Sequence, residues 1–109
     1  MITVISHQPE ALLDALLTAI KSEDCLWLPY AGLLTLADPG MVTRAYFRAD
    51  LYEKGVVFQL IAPRDEHVGI GIYAAYHARM IGTLLAQFGH LLDSATSTPM
   101  GKARLATQS

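Results

Sequence analysis

Residues 66–82, which read EHVGIGIYAAYHARMIG, concentrate the glycines and side chains that binding sites often use. Glycine pairs such as the one in GIG occur in phosphate-binding loops, because a backbone without side chains can bring its N–H groups close to a phosphate. No third glycine follows at the spacing of a dinucleotide-binding motif, and the sequence contains neither GKS nor GKT. We therefore favour close helix packing over phosphate binding as the role of these glycines.

His77 is the residue of this segment that is best placed for acid–base chemistry. It lies on the apolar stripe of a helical pattern, one turn after Tyr73, and a buried imidazole beside a tyrosine hydroxyl can act as a general base. A core histidine whose ring nitrogens are satisfied internally explains the same pattern. If the first interpretation holds, a ligand pocket lies between a sheet and this helix, lined by Tyr73, Tyr76, His77, Trp27 and Cys25.

The other reactive side chains predict no catalytic centre. The four histidines do not form an HExxH motif, and the sequence lacks the paired cysteines of a zinc site. We therefore expect no metal and no cofactor. Cys25 is the single cysteine, and its acidic and apolar sequence neighbours do not favour a reactive thiolate. A Gly-x-Ser-x-Gly motif is absent as well. We expect a protein that is not an enzyme.

Residues 41–53 carry the most suggestive surface side chains. Apolar and polar residues alternate along this stretch, which is the pattern of a strand with one buried face. Arginine and tyrosine often anchor protein interfaces or stack on nucleic-acid bases, although a plain solvated sheet face explains the pattern too. The partner-binding residues that we predict on the polar face are Arg44, Tyr46, Arg48 and Tyr52.

The charge distribution argues against nucleic acid as the partner. The chain has 8 basic and 10 acidic residues, but Lys102 and Arg104 are the only charged residues after Ser94, so residues 1–93 hold 8 − 2 = 6 basic and 10 acidic residues, a net charge of −4. Such a field repels phosphate backbones.

Polar and charged residues also interrupt the apolar region 68–92, so we expect no membrane-spanning helix.

Composition predicts self-association in the cytoplasm. Apolar residues make up 52% of the 109 residues and charged residues 17%, so apolar surface is expected to need a partner. One unpaired cysteine fits a reducing compartment, and the apolar stretch 11–20 lacks the basic flank and cleavage site of a signal peptide. We expect a small cytoplasmic binding or regulatory protein that acts through protein–protein contacts as a homodimer.

The first third of the chain predicts a strand, a helix and further extended segments. Residues 2–6 are short, apolar and β-branched, as in a strand. Residues 9–22 predict a helix, because a proline suits its first turn and apolar residues recur at helical spacing. Residues 25–36 predict either one strand with a bulge or two short extended pieces, since Pro29 and Gly32 interrupt them.

A hairpin is predicted in the middle of the chain. Pro39 and Gly40 have the spacing of a type II turn, in which the glycine takes a positive φ. The alternating strand 41–53 follows, Gly55 is expected to supply a left-handed residue in the next turn, and the apolar run 56–62 returns as a central strand.

The last structured segment predicts one long helix over residues 66–94, capped by Asp65. Strand structure for residues 68–72 stays open, because glycine inside a helix costs about 1 kcal/mol relative to alanine. In a helix, the small residues form a groove that lets a second backbone approach closely. Its members are Gly71, Ala75, Ala78, Gly82, Ala86 and Gly89.

Together these elements predict an α+β fold with the order β-α-β-β-β-α, in which both helices pack on one face of an antiparallel sheet. Residues 1–94 form a single domain, and the polar tail 95–109 is expected to be disordered. The alternative function is a small-molecule-binding protein or an enzyme, with its pocket between the sheet and the long C-terminal helix around His77.

Overall fold

A computed structural model describes residues 1–23, 25–64 and 66–100 of the chain. The predicted α+β class is confirmed, with six strands and two helices in these residues. In chain order the elements are β1 (Ile2–Ile5), α1 (Pro9–Lys21), β2 (Trp27–Tyr30), β3 (Leu33–Leu36), β4 (Tyr46–Tyr52), β5 (Gly55–Ile61), α2 (Ile70–Phe88), a 3-10 turn (Gly89–Leu91) and β6 (Ser94–Ser97).

The strands form one antiparallel sheet in the order β2-β3-β4-β5-β1-β6. The predicted central hairpin is its longest pairing, since β4 and β5 match along seven residues from Tyr46↔Ile61 to Tyr52↔Gly55. β1 lies between β5 and β6, so the first strand of the described chain is enclosed by two later ones. β2 and β6 are therefore the two edge strands.

Both helices pack against the side of the sheet that carries Phe47. The ring of this residue lies 6.3 Å from that of Tyr76 and 5.2 Å from that of His77 on α2, measured between centroids. Burying each large side chain stabilises the fold by roughly 1.5 to 3 kcal/mol. The core combines alternate strand residues with one side of each helix, including Ile2, Val4, Trp27, Leu34, Phe58, Leu12, Leu16, Ile20, Met80 and Leu84.

A tight turn separates β2 from β3, so residues 25–36 contain two short strands. Ala31 and Gly32 both take positive φ angles, 50° and 82°. Two successive positive φ angles are what a two-residue type I′ hairpin turn requires. Of the two arrangements predicted for this stretch, the pair of extended pieces is the one that forms.

The predicted strand start at residue 41 is wrong, because β4 begins only at Tyr46. The carbonyl oxygen of Asp38 accepts hydrogen bonds from the N–H groups of Met41 and Val42. The side chain of Asp38 accepts a further hydrogen bond from the N–H of Gly40. The φ of Gly40 is not positive, so the predicted type II turn is also wrong. These bonds draw residues 38–43 into a local turn instead of a strand.

Gly55 is required by close packing of two strands and not by a left-handed turn. It lies within β5, and its φ is not in the positive range that was expected. A Cβ atom at this position would lie 1.7 Å from the carbonyl oxygen of Val4. Only glycine therefore allows β1 and β5 to approach at this point.

α2 begins at Ile70, later than predicted, with Gly69 as its N-cap residue. Residues 68 and 69 are neither helix nor strand, and residues 70–72 are helical, so the strand alternative is wrong. The predicted cap, Asp65, lies outside the described residues. Within the described part of the chain, neither helix combines the length and apolar character needed to cross a bilayer.

β6 contradicts the predicted disorder directly after residue 94. Ser94–Ser97 pairs with β1 along its full length, and the N–H of Thr98 donates to the carbonyl oxygen of Met1 at 3.0 Å. This short polar segment lacks an apolar pattern, but it satisfies backbone groups of β1 that would otherwise lie at a free edge. Residues 101–109 of the predicted tail lie outside the described residues.

Candidate functional site

Tyr73 and His77, one turn apart on α2, meet the start of β1. Nδ1 of His77 lies 2.7 Å from the carbonyl oxygen of Tyr73, and a carbonyl oxygen only accepts, so Nδ1 carries the proton. Nε2 is then the acceptor, and it lies 3.1 Å from the amino nitrogen of Met1. The two rings stack with their centroids 3.8 Å apart.

The amino nitrogen of Met1 donates to three acceptors from two parts of the fold. These are the Tyr73 hydroxyl at 3.0 Å, Nε2 of His77 at 3.1 Å and Oγ1 of Thr98 at 3.2 Å. The Tyr73 hydroxyl in turn donates to the carbonyl oxygen of Thr98 at 2.7 Å. This group of four residues, the Met1 cluster, joins β1, α2 and the end of β6.

Burial controls the protonation of the Met1 cluster. His77 is only 4% exposed, and this burial lowers its pKa from 6.5 to about 4, although the hydrogen bond to the Tyr73 carbonyl opposes the change. Repulsion from the Met1 amino group lowers it further. Burial also lowers the pKa of that amino group. At neutral pH the imidazole is therefore uncharged, and its lone pair is engaged by Met1.

The remaining residues of the predicted pocket lie in the core. Trp27 and Tyr76 are fully buried, with ring centroids 5.7 Å apart. The indole N–H of Trp27 donates to Oγ1 of Thr83 at 3.1 Å, and the Tyr76 hydroxyl donates to the carbonyl oxygen of Met41. Cys25 is partly buried beside Trp27. Their polar groups are satisfied by protein atoms, which is typical of a structural role.

β4 presents three of the four predicted partner-binding residues, Tyr46, Arg48 and Tyr52, on the side of the sheet opposite Phe47. Nε of Arg48 lies 2.9 Å from a carboxylate oxygen of Asp50, and its guanidinium also donates to the side chain of Gln59. The sheet face, as it is called below, consists of Tyr30, Tyr46, Arg48, Asp50, Tyr52 and Gln59. Arg48 and Asp50 are both about half exposed, so their ion pair contributes little to stability.

Tyr30 belongs to the sheet face although the sequence interpretation missed it. Its ring stacks on that of Tyr46 with centroids 5.2 Å apart, and the residue is 55% exposed. Desolvation and the neighbouring Tyr30 raise the pKa of Tyr46, so its hydroxyl stays protonated. Arg44, which was predicted to join this face, precedes β4 and donates its backbone N–H to Met41. The late start of the strand removes Arg44 from the alternating pattern.

α2 exposes a line of small residues on the side opposite its core contacts. A Cβ atom at Gly71, Gly82 or Gly89 would meet no neighbouring atom within 4 Å, so this line does not pack on the protein's own sheet. The predicted groove shifts slightly, because Ala75 is half-buried and Ala74 is exposed. This surface, the small-residue face, consists of Gly71, Ala74, Ala78, Gly82 and Ala86 on α2, followed by Gly89 at the start of the 3-10 turn.

An open groove of about 740 Å³ lies between the start of α1 and the end of β4. Glu10, Asp14 and Glu53 line it together with Leu51, which is 45% exposed. The lining carries no basic side chain, so the groove is negatively charged. The groove is open and shallow, so its shape does not indicate one kind of ligand.

Neither metal-site geometry nor similarity to known proteins identifies a function. In residues 1–23, 25–64 and 66–100, no three or more His, Cys, Asp or Glu side chains come together in a way that could hold a metal ion. Comparisons with protein-family models, curated proteins and solved structures find no match. The function must therefore be argued from the surfaces themselves.

Proposed function

We propose that this chain is a small cytoplasmic protein without catalytic activity, which binds other proteins and does so as a homodimer. The observation that carries the proposal is the uncovered apolar side of α2. A helix that is apolar on both sides is typical of a protein interior, and α2 has one charged residue, Arg79, in 19 positions. Leu85 is 57% exposed next to the small-residue face. Such a surface favours a partner.

The spacing of the small-residue face suits a second copy of the same chain. Its six members are separated by 3, 4, 4, 4 and 3 positions, so the pattern reads the same in both directions about residue 80. An antiparallel pair of α2 helices around a two-fold axis would place Ala74 of one copy opposite Ala86 of the other, and Ala78 opposite Gly82. A two-fold interface needs this self-complementarity, and small residues allow the two backbones to approach closely.

The sheet face supplies the surface for a different protein. Tyr30, Tyr46 and Tyr52 offer rigid aromatic area, and Arg48 offers a guanidinium that Asp50 and Gln59 hold in position. Tyrosine and arginine are the residue types that most often dominate binding energy at interfaces. Because this side of the sheet lies opposite both helices, the homodimer and the partner would use separate surfaces.

Mass measurement by light scattering after size exclusion tests the homodimer, over a hundredfold range of protein concentration. We expect the wild type to be a dimer and Gly82→Glu to be a monomer, because two new carboxylates would meet near the two-fold axis. Glutamate favours helix more than glycine does, and its Cβ meets no neighbour, so the fold should persist. Gln87→Glu adds the same charge elsewhere on α2 and should remain a dimer.

The outcomes of this test are distinct. A monomeric wild type would refute the homodimer. A Gly82→Glu variant that remains a dimer would exclude the small-residue face and leave the homodimer to another surface.

Affinity capture of a partner, with the bound proteins quantified, tests the sheet face. Arg48→Ala and Tyr46→Ala should each abolish capture without lowering the melting temperature, because both side chains lie outside the core. Lys54→Ala, an exposed change beyond the end of β4, is the matched control and should capture normally. Capture that is unchanged in Arg48→Ala would remove the sheet face from the proposal.

The alternative, a small-molecule site around His77, has less support. The lone pair of Nε2 is engaged by Met1, and the polar atoms of Trp27 and Tyr76 are bonded within the core. Ligand screening by thermal shift addresses it, since a true ligand would stabilise the wild type and not His77→Gln.

A further inference from the structure

β6 is an edge strand whose far end is held by the Met1 cluster. Thr98 makes three of its bonds there: its N–H donates to the Met1 carbonyl, its Oγ1 accepts from the Met1 amino group, and its carbonyl accepts from Tyr73. Nε2 of His77 completes the set by accepting from the same amino nitrogen. The position of Thr98 therefore depends on where Met1 lies.

A proton on Nε2 would turn an acceptor into a donor at the centre of the Met1 cluster. The imidazolium would then face the Met1 amino group across 3.1 Å with a proton on each side, so the contact would become repulsive. Nδ1 cannot take over as acceptor, because its proton is held by the Tyr73 carbonyl. Displacement of Met1 together with Thr98, which is bonded to it, would relieve this repulsion.

The surroundings of His77 offer no charge that would compensate an imidazolium. β1 contributes the Met1 amino group, α2 the phenol of Tyr73 and β4 the uncharged ring of Phe47, while the segment after β6 contributes the uncharged Thr98. Among the ion pairs of the described chain, none joins His77 to a carboxylate. The site is thus arranged to hold only the neutral imidazole.

We propose that His77 is an acid-sensitive latch on β6: when its imidazole gains a proton, residues 94–98 leave the sheet and uncover the edge of β1. The central strands and both helices stay folded, because the seven-residue pairing of β4 with β5 contains no residue of the Met1 cluster. The released state presents the backbone donors and acceptors of Ile2–Ile5, a β-branched strand that could then accept another strand.

The direction of the pH effect follows from the two protonation equilibria. In the closed form the pKa of His77 is about 4, whereas after release it returns towards the ordinary value of 6.5. The released form therefore binds protons more readily, and the closed form loses stability as the pH falls from above 6.5 towards 4. With those two values, the opening equilibrium rises about 30-fold between pH 8 and pH 5.

Amide hydrogen exchange measured by NMR tests the latch in the intact chain. The protection factor of the Thr98 amide should fall about 30-fold from pH 8 to pH 5, while amides of residues 56–58 in β5 keep theirs. His77→Gln retains an uncharged acceptor and should remove the part of the pH dependence at Thr98 that comes from the imidazole, leaving only the part that comes from the buried Met1 amino group. His67→Gln, a change at an exposed histidine, should behave as the wild type.

Three results would overturn the proposal. One is a Thr98 protection factor that does not change with pH, and another is a parallel loss at Thr98 and in β5, which would indicate global unfolding. The third is an unaltered pH response in His77→Gln. If that variant fails to fold, the ring resonances of wild-type His77 decide: a titration near 6.5 in the folded protein would refute the latch.

Discussion

Thr35→Val is the substitution that tests most directly how the fold holds the segment between β3 and β4. The Thr35 hydroxyl is buried and donates to the carbonyl oxygen of Ala45 at 3.0 Å. It also accepts from the N–H of Thr43 at 3.0 Å and lies 3.0 Å from the Tyr76 hydroxyl. Valine has nearly the same shape as threonine, so the change removes these contacts without opening a cavity.

The expected cost follows from the burial of each partner. Ala45 is fully buried, so its carbonyl oxygen would lose its partner inside the protein, at about 1 to 3 kcal/mol. Thr43 is exposed, so water can reach its N–H, and that lost bond costs only about 0.5 to 1.5 kcal/mol. We therefore expect the free energy of unfolding to fall by about 2 to 4 kcal/mol, a large share of the typical total.

Tyr76→Phe completes a double-mutant cycle with this change. The hydroxyls of Thr35 and Tyr76 carry one proton each, yet they take part in three oxygen–oxygen contacts, so one contact lacks a proton at any moment. Because each hydroxyl can donate to the other only when its own carbonyl partner goes without a proton, removing one hydroxyl changes the bonds of the other, and the two changes should not be additive. The expected coupling is about 0.5 to 1 kcal/mol.

Urea denaturation followed by circular dichroism measures all four proteins of the cycle. With a slope of about 1 to 3 kcal/mol per molar urea, Thr35→Val should lower the midpoint by roughly 1 M or more. A loss below about 0.5 kcal/mol for Thr35→Val would refute the role of its hydroxyl, because a buried carbonyl without a partner must cost more. Strict additivity would show that Thr35 and Tyr76 do not interact.

Two further substitutions probe close packing in the core. Gly55→Ala should destabilise the fold by about 3 kcal/mol, because the new Cβ atom would overlap the backbone oxygen of Val4. Gly40→Ala is the control, since its Cβ atom would make only an ordinary contact. Equal losses of stability for the two variants in urea denaturation would contradict the reasoning. Thr83→Val should cost about 1 to 3 kcal/mol by leaving the buried indole N–H of Trp27 without an acceptor, and a melting temperature equal to the wild type's would show that this bond is dispensable.

Short-range alternation was sufficient to predict the central hairpin and most of the sheet face. Tyr46, Arg48 and Tyr52 lie two or four positions apart, so once β4 is extended they must share one side of the sheet. Arg44 lies two positions before Tyr46, so alternation alone would place it on the same side. It is not part of β4, because backbone hydrogen bonds to Asp38 hold the preceding residues in a turn and the strand starts only at Tyr46. Tyr30 lies on a different strand, and no local pattern indicates that it stacks on Tyr46.

Helical periodicity likewise gave the long helix and its line of small residues, with two limits. It did not place the start at Ile70, because three glycines weaken the local preference for helix. It also could not decide whether the small residues pack inward. The position of α2 on the sheet gives the answer. A Cβ atom at Gly71 or Gly82 would meet no neighbouring atom there, so the small residues face outward.

The sequence by itself determined the α+β class, the β4–β5 hairpin, both helices and the side of β4 that faces outward, because each depends on periodicity within a few residues. The tertiary structure alone decided that Gly55 relieves a contact with Val4, that a polar segment becomes β6, and that His77 meets a nitrogen 76 positions away. Such contacts depend on which distant strands pair, and pairing is chosen by the satisfaction of backbone hydrogen bonds and the filling of one shared core.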